Sequence, residues 1–302
     1  MKRTARILFP ALLALVLFLL LSSCATRRPY GDEQYFQGLG LDGEFVVTVN
    51  AELLDPHGFV ESGDPGVDFI TDRMTRLSIA LYDGNGTAGP VTEDFSEFDY
   101  YGAIEGEFPK SLVNSALSLS SVFTSAKDKS TKLRFFSDNE SGLQVAVPAK
   151  GIILFSSTDV VENYSNTYTE GRTKKISDED AARLAASQVG VYVSNPKTMI
   201  NLGFDINETA LSNIGSILMV MDDEVISAEF RLKSENLADS FSVLIKAGYV
   251  GNLRREGIKV DVAKLKEMFS QELDKVYVND MPLTQEQKDS ILLALTSILS
   301  AL

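Results

Sequence analysis

The side chains best equipped for chemistry are scarce and far apart. In 302 residues there is one His, His57, and one Cys, Cys24, and there is no Trp. His57 lies in Asp55-Pro56-His57-Gly58, a turn sequence that puts the imidazole in a loop. A single His cannot build H-E-x-x-H, and neither G-x-S-x-G nor a Gly-rich phosphate loop ending in Lys-Ser or Lys-Thr occurs. Ser125 with Lys127 or Lys129 supplies the types a Ser/Lys hydrolase needs, but that proximity is common and nonspecific. Asp83, Asn85, Thr87 and Asp94 fall where a twelve-residue calcium loop places ligands, yet Ala88 stands where the turn requires Gly, and Asp94 replaces the bidentate Glu. No metal or cofactor is expected.

Residues 93–101, EDFSEFDYY, mix acids with aromatic rings. Phe95, Phe98, Tyr100 and Tyr101 form a candidate binding patch for a protein or a sugar. The same residues would equally fasten a loop or edge strand to the core, with the acids left in water. Tyr164 and Tyr168, beside Asn163 and Asn166, pose the same alternative.

These residues sit in a chain with 44% hydrophobic and 23% charged residues, enough apolar material for one large or two ordinary domains. Its 28 Lys and Arg against 42 Asp and Glu give a net charge of -14. Broad electrostatic binding to nucleic acid needs a basic footprint and is not expected.

The N-terminus has a distinct order. Lys2, Arg3 and Arg6 precede an apolar run over 7–21, and Leu21-Ser22-Ser23-Cys24 closes it. Charge followed by a short apolar stretch is the order of an export signal, and 15 residues fall short of the roughly 18 to 20 needed to span a bilayer. Leu21-Ser22-Ser23-Cys24 resembles the lipobox of bacterial lipoproteins. That resemblance covers about 24 residues and implies removal of 1–23, a diacylglyceryl group on the Cys24 thiol, and acylation of the new amine. It implies a membrane-anchored cell-envelope protein held through covalent lipid at Cys24. Ala25, rather than Asp, follows the Cys, which in enterobacterial relatives favours the outer membrane; the leaflet is left open.

Removing 1–23 takes away three basic residues and no acid, so the mature chain carries 25 basic against 42 acidic residues, a net of -17. Residues 25–37 show no apolar periodicity and read as a tether, spanning about 45 Å if extended at about 3.3 to 3.6 Å per residue. With the only Cys used for lipid, no disulfides are expected.

Beyond the tether, strands are expected at 43–50, 76–82, 101–108 and 151–157, with a hairpin from 132–136 and 142–147 around Asp138-Asn139-Glu140-Ser141. Pro109 opens a helix whose apolar face is read as Leu112, Ala116, Leu119 and Phe123. Ser177 and Asp180 form a capping-box start for another, with Ala181, Leu184, Ala185 and Gln188 behind them. Strands at 217–221 and 225–232 precede a helix through Leu237, Phe241, Leu244, Ile245 and Gly248. Val262, Leu265, Phe269 and Leu273 mark a further helix, Val276-Tyr277-Val278 a short strand, and 284–302 a very apolar last helix.

Each half contains strand, turn, a strand with Glu-Phe (Glu107-Phe108, Glu229-Phe230) and then a helix, a weak internal repeat. The expected fold class is α+β: two tandem ferredoxin-like (split βαβ) units with an added C-terminal helix, spanning 38–150 and 151–302. The alternative is one larger α+β domain with a continuous sheet. The expected function is a binding or assembly-support role with an envelope protein partner, in preference to catalysis. Against it stand an envelope enzyme with dispersed carboxylate or Ser chemistry, and a small-ligand or lipid carrier with its site between the two units.

Overall fold

The computed structural model describes residues 44–51, 69–70, 72–82, 98–166, 176–194, 208–222, 224–255 and 257–283. Twelve strands join in one sheet: β1 Phe45–Asn50, β2 Met74–Tyr82, β3 Asp99–Gly106, β4 Phe123–Lys127, β5 Arg134–Asp138, β6 Gln144–Ala146, β7 Ile152–Ser156, β8 Val189–Val193, β9 Ile214–Asp222, β10 Val225–Leu232, β11 Phe269–Glu272 and β12 Lys275–Pro282. Among the described residues six helices accompany them: α1 Lys110–Leu119, α2 Val160–Asn166, α3 Asp178–Ala186, α4 Glu208–Leu211, α5 Glu235–Arg255 and α6 Val262–Met268. No helix among the described residues is long and apolar enough to cross a membrane.

The strand order is β11-β12-β10-β9-β8-β1-β2-β3-β7-β6-β5-β4, and every pairing in it is antiparallel. This α+β architecture matches the larger continuous-sheet alternative. The two split-βαβ units do not stand apart, because all twelve strands belong to one hydrogen-bonded sheet. Here β1 instead bridges the halves, pairing with β2 on one side and β8 on the other. Residue 150 falls between β6 and β7, which are bonded neighbours in that sheet.

What survives of the repeat is a path. From β3 the chain runs through α1 out to edge strand β4 and returns through β5 and β6 to β7, beside β3. From β10 it runs through α5 and α6 out to edge strand β11 and returns as β12 beside β10.

Both faces of the central strands are buried, which accounts for their near-continuous apolar sequences, FVVTVN in β1 and IILFS in β7. The first face carries Phe45, Val47, Leu77, Ile79, Phe155, Val191, Met219 and Phe230, and near β10 to β12 it receives Ala238, Phe241 and Ile245 of α5. The Phe230 and Phe241 rings pack tilted, 5.0 Å apart. The second face holds Val46, Ala80, Ala103, Leu154, Tyr192 and Leu218 under Ala181, Leu184 and Ala185 of α3. Gly190 permits that approach: a Cβ there would lie 2.8 Å from Leu184 and 2.9 Å from Thr48.

Several helix faces and bounds differ from expectation. In α1 the residues turned to the core are Val113 and Leu117, while Leu112 and Leu119 are exposed and Phe123 belongs to β4. The helix stops at Ser120, whose extended backbone starts the path to the edge. In α5 Ala238, Phe241, Ser242 and Ile245 are buried and Leu244 is exposed. Phe269 starts β11 rather than continuing α6, and Leu273, at φ 52, makes the turn to β12. The last expected helix, 284–302, lies outside the described residues, as do Cys24 and the tether.

Candidate functional site

The polar groups buried in the sheet gather on its second face. Thr48 and Ser78, partners across β1 and β2, bring their hydroxyls to 2.8 Å. One residue pair further along β2 and β3, Arg76 faces Glu105, with Nη1 3.8 Å from Oε2. Where α3 crosses toward β10, a larger cluster forms.

That cluster is built from two local periodicities. Asp180 and Arg183 stand three residues apart on α3, hence on one helical face. Glu229 and Arg231 stand two apart on β10, hence on one sheet face. Ser177 caps α3, its hydroxyl accepting from the Asp180 amide at 3.1 Å, so the Asp180 carboxylate lies in the first turn where the helix dipole favours an anion. Arg231 then donates to both Asp180 oxygens, Nη1 to Oδ2 at 2.8 Å and Nη2 to Oδ1 at 2.6 Å. Its Nε donates to Glu229 Oε1 at 2.8 Å. Arg183 donates to Glu229 Oε2 at 2.6 Å, and Lys275, opposite Arg231 on β12, reaches Oε1 at 3.0 Å.

Asp180 and Glu229 are almost wholly buried, whereas the three cations keep about a third of their side-chain surface in solvent. Burial alone would raise the Glu229 pKa, but the bonds from Lys275, Arg231 and Arg183 outweigh it and bring it down to about 2. Bonds to Asp180 push Arg231 up, and the bond to Glu229 pushes Lys275 up. Tyr277, opposite Glu229, is raised by burial and then by the Glu229 charge. The shifts of Glu229, Arg231 and Lys275 each favour the charged form. The cluster holds α3 against β10 and β12.

The expected aromatic patch is divided by the sheet. Phe98 and Tyr101 are buried, Tyr100 is partly buried, and Phe95 lies outside the described residues. Tyr100 packs on the first face near Phe155, ring centroids 6.2 Å apart, while Tyr101 is on the second. Adjacent residues of one strand must point oppositely, so the two tyrosines do not share a surface. Burial raises the Tyr100 pKa.

Ser125 and Lys127 lie on β4, where the Ser125 hydroxyl accepts from Arg134 at 3.4 Å. Asn163 donates to Ser156 Oγ at 3.2 Å, and Tyr164 packs on the second-face core. His57, Tyr168 and the 83–94 window lie outside the described residues. Among the described residues no group of three or more His, Cys, Asp or Glu is placed to hold a metal ion.

No protein-family model and no curated protein matches the chain. Among solved structures, crystal form I of TP0453 aligns over 90% of this chain and 99% of that one, at TM-score 0.55 and 12% identity. The chain shares its fold with TP0453. Crystal form IV of TP0453 aligns over 87% and 96%, at TM-score 0.51 and 13% identity. At that identity the likeness extends to the TP0453 fold alone.

Proposed function

We propose that the chain is a lipid-anchored protein of the bacterial cell envelope, attached through Cys24 and acting by binding a partner. The observation that carries the anchor is Leu21-Ser22-Ser23-Cys24 at the end of a short apolar run that follows three basic residues. Two or three acyl chains hold a protein on a bilayer where one does so only marginally, since each buried CH₂ contributes about 0.8 kcal/mol. The first described strand begins at Phe45, leaving a length of chain between lipid and that strand. A body of net charge -17 is repelled by anionic headgroups, so the tether sets it off from the bilayer.

A binding role is favoured by how the charged side chains are used. Asp180, Glu229, Arg183, Arg231 and Lys275 are spent on one another, and Ser125 is bonded to Arg134. The test has two arms. Labelled palmitate should enter the wild-type protein and not Cys24→Ala; equal labelling of the two would remove Cys24 as the acceptor. Crosslinking on native membranes should return a reproducible envelope protein, and its absence from a folded, membrane-bound population would sink the binding role.

A further inference from the structure

Strand β4 ends the sheet and pairs only with β5 among the described strands. In that ladder the Asn139 amide donates to Val122 O at 3.2 Å and the Asp128 amide to Leu133 O at 2.9 Å. Antiparallel pairing alternates, so Val122, Thr124, Ala126 and Asp128 direct their main-chain groups at β5. Phe123, Ser125 and Lys127 direct theirs away from the sheet. Ser125 and Lys127 are exposed, α1 packs toward the first face through Val113 and Leu117, and β4 contains neither Pro nor a bulge. An edge in this state is a template for another strand.

The edge is also where positive charge collects. Lys127, Lys129, Lys132 and Arg134 are all exposed, and Lys127 stands directly opposite Arg134, an arrangement of like charges that costs stability. No described carboxylate forms an ion pair with any of the four. Asp128, the one acid between them, spends Oδ2 on the Ser130 hydroxyl and on the Thr131 amide and hydroxyl. Arg134 is held in place, its guanidinium 5.0 Å from the Phe136 ring centroid and bonded to Ser125 Oγ. This lies in a chain whose net charge is -14.

Outward amides and carbonyls call for an extended main chain, and the cations call for carboxylates. A lipid headgroup or free anion answers only the second demand, and an apolar strand only the first. We propose that β4 receives an extended acidic segment of a partner protein as an added strand, with Lys127 and Arg134 pairing its carboxylates. This rests on the binding role proposed above and names the chemistry of the partner.

The probe is a labelled short peptide alternating Val and Glu, titrated by fluorescence anisotropy onto the full-length protein in detergent. Binding should weaken as salt rises and should exceed that of a Val/Lys peptide. Ser125→Pro removes an outward amide, which an edge strand tolerates, and should weaken binding about tenfold or more. The same peptide N-methylated on alternate residues blocks pairing from the ligand side and should fail on unaltered protein, whatever Ser125→Pro does to folding. Lys127→Glu with Arg134→Glu should transfer preference to the Val/Lys peptide.

Binding indifferent to N-methylation overturns the strand pairing. So does attachment to anionic phospholipid vesicles without affinity for the peptide. Self-association of Lys127→Ser with Arg134→Ser, when the wild type binds no peptide, would make the cations a guard against aggregation and also overturn the proposal. If membrane crosslinks find a partner away from β4, this proposal fails while the binding role stands.

Discussion

Arg231 on β10 grips Asp180 on α3 through two parallel hydrogen bonds of 2.6 and 2.8 Å, and Asp180 is 1% exposed. Only a guanidinium offers that planar fork. Arg231→Met leaves Asp180 and Glu229 buried with fewer donors and should cost about 3 to 5 kcal/mol, read as a lower urea midpoint. Arg231→Lys keeps the charge but loses the fork, and should fall between the two. A lysine variant as stable as wild type would show that charge alone, without geometry, docks the helix.

Glu229 gives the fold an acid dependence whose sign follows from its neighbours. Its pKa is about 2 in the folded chain against an ordinary value of 4.5. The unfolded state binds the proton more readily, so the stabilisation is complete above the ordinary value and is lost as pH falls through it toward 2. Hydrogen bonds in the hairpin turns lower Asp128 and Asp138 in the same direction. Glu229→Gln therefore isolates the cluster. The variant should be less stable at neutral pH and its urea midpoint should decline less between about pH 5 and pH 2. Parallel curves would place the acid sensitivity elsewhere.

The strands were legible where the pattern is local. Val225 to Leu232 reads as a strand after an acidic turn and forms one with those bounds, and Ser177 caps α3 as its sequence indicates. Misreadings follow from neighbours brought by the fold. Phe123 continues the helical spacing of Leu112, Ala116 and Leu119, yet Ser120 breaks the helix and Phe123 packs from β4. Val189 to Val193 follows α3 so closely that no turn sequence announces β8. The single sheet depends on Phe45 meeting Val193, a pairing between distant parts of the chain that periodicity does not carry. The spacings Asp180–Arg183 and Glu229–Arg231 were readable as helix and strand faces. Their meeting was not, because it needs α3 to cross from β7 to β8.

Gly102 and Phe155 are partners across β3 and β7, and the Phe155 ring lies over the glycine. A Cβ at 102 would stand 2.1 Å from Phe155 Cζ, a separation no packing tolerates. Gly102→Ala should displace the ring and cost about 1 to 3 kcal/mol. Adding Phe155→Leu should recover part of that loss, since the shorter side chain frees the space. Thermal unfolding of the two single variants and the double variant measures the coupling. Additive losses would mean that the ring had moved aside without strain.

Arg76 and Glu105 make a second test, because their pairing lies within the sheet rather than between sheet and helix. Both side chains are nearly inaccessible, at 1% and 2%, and they are register partners on β2 and β3. Each buried charge loses this partner when the other is removed, so Arg76→Met or Glu105→Leu alone should cost about 3 to 5 kcal/mol. The double variant Arg76→Met with Glu105→Leu should therefore cost less than the sum of the two single variants, because the attraction between the two charges is then lost only once. Denaturant titration of all four proteins supplies the cycle. If the two losses simply add, the two residues are held by separate partners and act independently.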